Sequence, residues 1–401
     1  MSEILLKFKG GIDADNKVSL GETLDFQYLQ NISMYHNLLV CESKPRLFAK
    51  LVNGISEVVE NIAVIIDKVP RTFWVGLITN KAIYTVKDVP YELEYVDNND
   101  ESKSTLYYSN RTDVIPELNI PYAKYDDSAI VQVAQWLKPY WASCYITAPG
   151  LPMTRIRFDS KIVHTLKPSY LDENNKLCYL SAKYILTTNN RIFLANCYED
   201  KLEENTVGSG VYKKIGTQHW PTRIHWSDIG SGVGDTEDPD VLATQEYFAV
   251  EEASDADYFD LGVNEKEITG LAFSQDITWI FTSEAIWRAD YESFDEKFKT
   301  VKFSSIGCTF HYSVITVDDF IYFVGKDNFY SLSDLTITPI GDSIWSWFVE
   351  HQDYRDFRMI AQYDRIKNRI LWSFNAVENG VSIGNIQLAY SRKHQTWSVI
   401  K

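Results

Sequence analysis

The sequence lacks the features that mark membrane-spanning and secreted proteins. Its longest apolar run, Ile62–Ile66, ends at Asp67 and Lys68, well short of the ~20 apolar residues that a membrane helix needs. Residues Met1–Phe8 alternate charged and apolar groups too closely to form the apolar core of a signal peptide. We therefore expect a protein with no membrane span that is made in a cytosol.

Cysteine is scarce and its spacing fits neither a zinc site nor a redox disulfide. The five cysteines are odd in number and none belongs to a CxxC pair. Each has apolar or aromatic neighbours in sequence, where a free thiol acts as a small buried hydrophobe. We expect no disulfide among Cys41, Cys144, Cys178, Cys197 and Cys308.

Positive charge is also in short supply. The chain carries 39 Lys and Arg against 55 Asp and Glu, a formal net charge of −16. This balance excludes a broad cationic face that wraps nucleic acid or lies on anionic lipid. With 45% hydrophobic residues in 401, the chain has enough apolar surface for one large core or two to three smaller ones.

Signature motifs of catalysis are missing as well. There is no nucleophile elbow, HExxH motif, Walker loop or EF-hand spacing, so we predict no catalytic residue, cofactor or metal centre. Gly230, Gly232 and Gly234 lack the spacing and following helix of a phosphate-binding loop. The acidic run Asp235–Asp240 is interpreted as a solvated loop, with a calcium site as the alternative.

Two His-Trp pairs are the remaining candidates for a sugar or proton-transfer site. They are His219 with Trp220 and His225 with Trp226. At strand spacing, we expect one member of each pair to pack inward while the other faces the loop. The carboxylates that suit a glycosidase pair, Asp228, Asp276 and Asp319, are explained more simply as turn formers.

Aromatic residues are what the chain has in abundance. Phe, Trp and Tyr make up 14% of the sequence, and these residues favour strands. Short aromatic and β-branched runs alternate with polar turns at 178–195, 268–289, 313–332 and 359–397, with a similar unit at 62–86. Only Val131–Leu137 and Asp342–Glu350 are predicted as short helices.

The turn of these units recurs at a nearly constant distance. Gln275 and Asp318 are 43 residues apart, and Asp318 and Lys367 are 49 apart. A period in the forties with three or four strands indicates the blades of a β-propeller. We predict an all-β fold, a propeller of about six blades with an N-terminal extension and inserted loops.

The predicted organisation has an N-terminal segment, 1–44, followed by the propeller at 45–401. Residues 98–155 are interpreted as an inserted subdomain or an irregular blade. The stretch Gly208–Asp257 is expected to be a long connection or an incomplete blade.

The chain resembles the propeller-bearing hub or nozzle proteins of short-tailed bacteriophages. The resemblance covers roughly Arg191–Ile344 and rests on the following segments: Arg191–Asn196, Arg223–Gly230, Tyr258–Gly262, Ile268–Ala272, Trp279–Arg288, Ile306–Cys308, Ser313–Val314, Ile321–Tyr330 and Pro339–Ile344. A weaker similarity spans Pro45–Val86.

The resemblance implies a structural virion protein of the tail rather than an enzyme. Six copies would form a ring below the portal and adaptor, contact other tail proteins, and conduct viral DNA during ejection without sequence-specific binding. A wall poor in Lys and Arg would let DNA slide. The protein would be made in the host cytoplasm and located in the virion.

The resemblance also implies a set of framework residues. Trp226 and Ser227, followed by Asp228, would lie at a blade edge, and Gly270 and Gly307 at close backbone approaches. Gly325 belongs to the same motifs, and Asn328 stands where a turn glycine is usual. Trp287 would lie in the hydrophobic layer between blades, where a fully buried Trp287→Ala change costs roughly 3 to 5 kcal/mol.

Two other functions remain open. The 11 Trp and the loop carboxylates also suit a carbohydrate-binding or glycan-hydrolysing propeller, with Trp220 and Asp228 as its test residues. A cellular scaffold propeller is disfavoured because the WD dipeptide and its upstream Gly-His are missing.

Overall fold

The fold is taken from a computed structural model. It describes the backbone of eight strands between residues 32 and 121. From residue 124 to residue 400 it describes all residues except 138–141, 158–162, 166–168, 173–175, 189–190, 207–210, 229–247, 249–253, 263 and 295. The acidic run Asp235–Asp240, the glycines Gly230–Gly234 and the side chains of Cys41 and Cys144 lie outside the described part.

The chain divides into two compact units. Unit 1 consists of Met1–Lys44 and Asn264–Lys401, and unit 2 of Pro45–Val263. Nearly all regular structure in both is β-strand, which confirms the predicted all-β class.

Unit 2 contains three antiparallel sheets that follow one another along the chain. Sheet A is built from four strands: β4 Val59–Asp67, β5 Thr72–Thr79, β6 Ala82–Pro90 and β8 Leu118–Pro121. Sheet B is built from β9 Gln132–Leu137, β10 Ala142–Ala148, β11 Leu151–Arg157 and β12 Val163–Thr165. Sheet C is built from β13 Ser169–Leu171, β14 Leu177–Thr188, β15 Arg191–Glu204, β16 Tyr212–Trp226 and β17 Asp257–Asp260.

Unit 1 continues the same pattern. Sheet D is built from β18 Ile268–Ser274, β19 Ile277–Thr282, β20 Ile286–Ser293 and β21 Lys297–Ser304. Sheet E is built from β22 Ile315–Val317, β23 Phe320–Val324, β24 Phe329–Ser333 and β25 Thr336–Pro339. Sheet F is built from β26 Ile360–Asp364, β27 Arg369–Glu378, β28 Val381–Ser391 and β29 Thr396–Ile400.

Three further elements are small. A hairpin pairs β1 Ile32–Tyr35 with β2 Leu38–Cys41, and a parallel pair joins β3 Lys50–Leu51 to β7 Asp113–Val114. The helix α1 spans Trp345–His351 and buries Trp347 and Phe348.

Tight turns join the strands where the sequence predicts them. Gln275 and Asp276 have φ of 54° and 59°, and Asn379 and Gly380 have φ of 51° and 77°. Two consecutive positive φ values define the turn that matches the twist of a hairpin. The strand pattern predicted for 268–289, 313–332 and 359–397 is therefore confirmed, as is the strand content of 62–86 and 178–195.

One local prediction is wrong, and two are refined by the structure. Val131–Leu137 is not a helix, because Gln132–Leu137 pairs with β10 and its β-branched and aromatic residues complete a sheet. Gly208–Asp257 is not entirely connection, since Tyr212–Trp226 forms a 15-residue strand. The predicted helix Asp342–Glu350 exists but begins later, at Trp345, after a turn closed by the carbonyl of Gly341.

The cores lie between successive sheets of each unit. In unit 1, Trp279, Phe281 and Phe323 pack between sheets D and E, and a second cluster between sheets E and F contains Trp372 and Trp397. In unit 2, the core cluster packs residues of sheet B against sheet C. Sheet E is thus covered on both faces, and alternate residues of β23 enter different clusters.

Candidate functional site

A cleft of about 570 Å³ opens in unit 1 beside sheets E and F. Its volume lies in the range of small-molecule sites. Residues of strands β23, β24 and β25 form one wall, and the turn between β28 and β29 contributes to the other. The lining residues are Asp318, Phe320, Tyr322, Ser331, Ser333, Thr338, Ile340, Asn368, Tyr390, Arg392, Lys393 and Gln395.

The alternation of side chains along each strand determines which residues face the cleft in the first wall. Phe320 and Tyr322 are two residues apart on β23, so both side chains emerge on the same face. Tyr322 pairs with Ser331 on β24, and Ser331 pairs with Thr338 on β25. A row of three hydroxyl-bearing residues therefore crosses the sheet beneath the cleft.

Arg392 is the polar centre of the cleft. Its Nε donates to the Tyr322 hydroxyl at 3.1 Å. Its Nη1 donates to Asp318 Oδ2 at 2.8 Å and to Asn368 Oδ1 at 3.2 Å. Burial opposes the charge of Arg392, but these bonds outweigh it and raise the pKa of the guanidinium. Arg392 is therefore a fixed cation.

Aromatic rings surround this cation. The guanidinium carbon lies 5.8 Å from the ring centroids of Phe320 and Tyr322 and 5.7 Å from that of Tyr363, within cation–π range. The Phe320 and Tyr322 rings stack at 6.2 Å. Tyr322 is 5% exposed while Phe320 is 39% exposed. Tyr322 therefore lies at the buried end of the aromatic surface, and Phe320 lies at the solvent-exposed rim of the cleft.

A second polar centre is buried within sheet C of unit 2. Glu199 is 1% exposed, and three side chains donate to it. Trp220 Nε1 lies 2.8 Å from Oε2, while Arg223 Nη1 and His225 Nε2 lie 3.0 and 3.1 Å from Oε1. We name Glu199, Trp220, Arg223, His225 and Asp260 the sheet C cluster.

Arg223 holds this cluster together. It donates through Nε and Nη2 to the two carboxylate oxygens of Asp260, at 2.9 and 2.7 Å. Its guanidinium carbon lies 3.7 Å from the centroid of Trp220 and 4.4 Å from that of Tyr258. One arginine thus bridges two carboxylates and two rings.

The protonation states in the cluster follow from burial. Burial lowers the pKa of His225 below 6.5 despite the hydrogen bond to Glu199, so the imidazole is neutral. Burial alone would raise the pKa of Glu199, but the His225 hydrogen bond and the charge of Arg223 hold it below 4.5. Glu199 is then ionised and His225 donates through Nε2, while Nδ1 has no hydrogen-bond partner among the described residues. Since Glu199, Arg223 and His225 are buried, we interpret the cluster as structural.

Trp226, Ser227 and Asp228 lie around a buried ion pair. Arg191 Nε is 2.5 Å from Asp255 Oδ2. Trp226 Nε1 donates to the Asp255 carbonyl at 2.8 Å, and Asp228 Oδ1 accepts from the Asp255 amide at 3.0 Å. Ser227 exchanges hydrogen bonds with the backbone of Ile192. The predicted framework segment thus anchors the strand leading into β17.

Three predicted framework glycines lie at close contacts. A Cβ on Gly307 would lie 2.4 Å from the backbone nitrogen of Glu284, and one on Gly270 would lie 2.5 Å from a Val314 methyl. At Gly325 it would lie 2.8 Å from the Tyr330 ring. The contact at Gly307 is with rigid backbone, so no larger side chain fits there without displacement.

Two expectations about framework residues are corrected. Trp287 is only half-buried, lies beneath the Lys302 ammonium, and is outside the core cluster that contains its neighbour Ile286, because alternate strand residues face opposite sides. Asn328 does not have positive φ. It acts through its side chain, which accepts from the Gly341 amide and donates to Asp342.

One of the two His-Trp pairs is placed differently from the prediction. His225 and Trp226 lie on opposite faces of β16 but are both buried, at 0% and 2% exposed, because both faces are covered at this end of the strand. In the other pair, His219 is exposed. Trp220 is half-buried, with one face covered by Arg223, so it is not a free sugar platform. Asp228 bonds to backbone, and Asp276 lies in a hairpin turn.

The described cysteines are free thiols. Cys178, Cys197 and Cys308 are buried and unpaired with other cysteines. Burial raises the pKa of Cys178 to about 12 and that of Cys308 to about 11, which makes both unreactive. The expectation of buried free thiols is confirmed for these three.

Sequence reasoning missed the residues that matter most in both centres. Glu199 and Arg223 stand in ordinary strand patterns, and Arg392 stands in a turn. Nothing in sequence placed Phe320 and Arg392 together across 72 residues.

Comparisons with known proteins identify no family. No family model matches the chain, and no curated protein is similar to it in sequence. Solved structures that resemble it include the designed protein Ika8, with 9% identity, a TM-score of 0.37, and coverage of 88% of this chain and 99% of that one.

Two further solved structures resemble the chain at similar levels. The Aleuria aurantia lectin has 11% identity, a TM-score of 0.32, and coverage of 85% of this chain and 96% of the lectin. The AfRom2 CNH domain has 8% identity, a TM-score of 0.27, and coverage of 84% and 94%. Similarity at these levels supports no functional conclusion.

The described residues contain neither a membrane-crossing helix nor a metal-binding cluster. No helix there has the length and apolar character that crossing a membrane requires. Nor does any group of three or more His, Cys, Asp or Glu side chains in those residues have the arrangement of a metal site.

Proposed function

We propose that this chain is a structural β-propeller protein of the tail of a short-tailed bacteriophage, a hub or nozzle subunit that forms a ring below the portal and adaptor. The observation that carries the proposal is the succession of six antiparallel sheets in chain order, each of four or five strands, in the described residues. A radial series of four-stranded sheets is the architecture of a propeller.

The arrangement of strands within each unit supports the propeller. In unit 1, β18 lies beside β22 and β22 beside β26, and in unit 2, β4 lies beside β9. These are the first strands of consecutive sheets, as expected for the innermost strands of blades. In unit 1, strand β1 of the N-terminal segment also lies beside β29, the last strand.

The phage resemblance falls on these sheets. Its segments supply β15 and β16 of sheet C, β18 and β19 of sheet D, and β23 of sheet E. Gly270 and Gly307, both part of those segments, lie at contacts that exclude a Cβ. The resembling residues are thus packing residues, which supports a structural role without catalysis.

The negative net charge of the chain is compatible with a channel through which DNA passes. A net charge of −16 per copy disfavours tight binding of DNA phosphates. In the proposed virion, six copies contact the adaptor and other tail proteins, and viral DNA passes through the ring during ejection.

The experiment mixes the purified full chain with the portal–adaptor complex of its own virus and examines the particles by negative-stain and cryo-electron microscopy. We expect six copies of a propeller in a ring of density below the adaptor. A portal–adaptor complex from an unrelated phage is the control and should recruit nothing. Chains that remain monomeric and never join their own adaptor would refute the proposal.

A further inference from the structure

The cleft of unit 1 combines an apolar ring face with fixed polar groups at one edge. Phe320 is 39% exposed at the rim, and Arg392 lies beside it, held by Tyr322, Asp318 and Asn368. Part of the Phe320 ring is therefore open to solvent next to an ordered network of charged and polar groups.

The polar edge offers both a donor and an acceptor. Arg392 is a planar cation whose position is set by three hydrogen bonds, and Asp318 is a carboxylate whose side chain is 71% exposed. Asp318 Oδ2 accepts a hydrogen bond from Arg392. The carboxylate has further acceptor sites on its two oxygens, so it can still accept hydrogen bonds from a ligand. Adjacent hydroxyl groups on a sugar ring each donate and accept, so a neighbouring acid and guanidinium match them.

A pyranose fits this combination better than an anion does. One face of the sugar ring carries polarised C–H groups, which are attracted to the negative face of an aromatic ring. An anion would meet the Asp318 carboxylate beside Arg392 and would be repelled by it. The cleft volume of about 570 Å³ accommodates one or two sugar rings.

We propose that the cleft lined by Phe320, Asp318 and Arg392 binds a neutral pyranose, with the ring stacked on Phe320 and neighbouring hydroxyls bonded to Asp318 and Arg392. Ser331 and Thr338, on the wall opposite the turn residues, would contact the outer hydroxyls. The proposal does not rest on the tail assignment, since binding at this cleft requires one folded chain.

The test uses the purified full chain and saturation-transfer NMR with the methyl α- and β-pyranosides of glucose, galactose, mannose, rhamnose and N-acetylglucosamine. We expect transfer from the chain to at least one pyranoside at millimolar concentration, strongest at the C–H protons of one ring face. Inorganic phosphate and adenosine monophosphate are parallel probes, and binding of these without any pyranoside would overturn the proposal.

Substitutions of cleft residues test whether the pyranoside binds in the cleft. Phe320→Ala and Asp318→Asn should each weaken binding about 3- to 10-fold, the loss expected for one stacking contact or one hydrogen bond. Matched controls are Phe294→Ala, an equally exposed ring at 46% in a turn of sheet D, and Asp319→Asn, the neighbouring residue that does not line the cleft. Both controls should bind as the parent does.

The outcomes separate this proposal from the tail assignment. Absence of transfer to every pyranoside, or transfer that Phe320→Ala and Asp318→Asn leave unchanged, overturns the sugar site whatever the adaptor experiment shows. Failure to join the adaptor leaves the sugar measurement unaffected, because that measurement requires no assembly.

Discussion

Sheet C in unit 2 and sheets E and F in unit 1 have similar strand order but different interiors. Sheet C buries the charges of Glu199, Arg223, Arg191 and Asp255. The interior between sheets E and F is apolar, and half of its buried residues are aromatic. Phe329 contacts Trp345, Phe348, Trp372 and Trp397 there. The same architecture is thus compatible with two kinds of core.

The difference matters because mutations should destabilise the two cores by different mechanisms. Burial of apolar surface is nondirectional, and the cost of removing a buried side chain grows with the cavity that remains. A buried ion network depends on every member, since removing one leaves another charge without compensation. We therefore expect sheet C to be sensitive to pH and to single polar changes, and sheets E and F to be sensitive to side-chain volume.

The largest effect should come from Glu199→Ala. The change leaves the Arg223 charge and the His225 imidazole without their shared acceptor, which costs about 3–5 kcal/mol of unfolding free energy. Hydrogen exchange should localise the loss to sheet C. Asp353→Asn, which removes an exposed ion pair with Arg355, is the control and should leave the urea midpoint unchanged. An equally small effect of Glu199→Ala would show that the cluster is not structural.

A comparable loss is expected in unit 1 from Trp372→Ala. Trp372 is 0% exposed, stacks on Trp397, and donates to the Ser313 carbonyl, so its removal costs about 3–5 kcal/mol. Trp287→Ala, at a half-buried ring, should cost only about 1–2 kcal/mol. Urea denaturation of both variants provides the comparison, and equal losses would contradict the placement of Trp287 outside the core.

A smaller loss is expected from Gly307→Ala. The new Cβ would meet the backbone at Glu284, and the required displacement costs roughly 1–3 kcal/mol. Gly216→Ala is the matched control, because nothing lies within 4 Å of a Cβ there. Thermal melting of the two variants should show a lower midpoint for the first alone.

The smallest effect is a pH dependence confined to sheet C. The folded-state pKa of His225 lies below 6.5, so as pH falls past 6.5 the unfolded chain takes up a proton that the folded chain does not, and stability declines. The lowered pKa of Glu199 adds a second decline below about 4.5. Stability measured by hydrogen exchange from pH 7.5 to 4 should fall in sheet C before it falls in sheets D to F.

His225→Phe sharpens this measurement. The variant should lose the decline that begins near pH 6.5 and show a smaller decline at lower pH, because Glu199 also loses the His225 hydrogen bond that lowers its pKa. His351→Gln in helix α1 is the control and should retain both. A wild-type profile that is flat between pH 7 and 5 would show that His225 is not held neutral by burial.

Much of the fold was predictable because strand and turn signals are local. The dipeptides Gln275-Asp276 and Asn379-Gly380 indicate hairpin turns. The aromatic and β-branched residues of Phe320–Val324 indicate a strand that is buried on both faces. Prediction failed at Val131–Leu137, where a short apolar run fits either a helix or a strand. It was incomplete at Tyr212–Trp226, where a region predicted as a connection or an incomplete blade contains a long polar strand that pairs with β15 over most of its length.

The candidate sites were less predictable than the fold. Trp226, Ser227, Gly270 and Gly307 were named through a resemblance, and the contacts that explain them became visible only in three dimensions. Glu199 and Arg392 carry no local signal, because an isolated Glu in a strand or Arg in a turn is usually solvated.

The amino-acid sequence by itself determined the all-β class, the positions of most turns, and the free state of the described cysteines, because each depends on neighbouring residues. Tertiary structure alone decided that Glu199, Arg223 and His225 share one buried centre and that Phe320 and Arg392 share one cleft. Strand pairing between distant segments brings those groups together. Their protonation states and their exposure depend on how far that pairing buries each group from water.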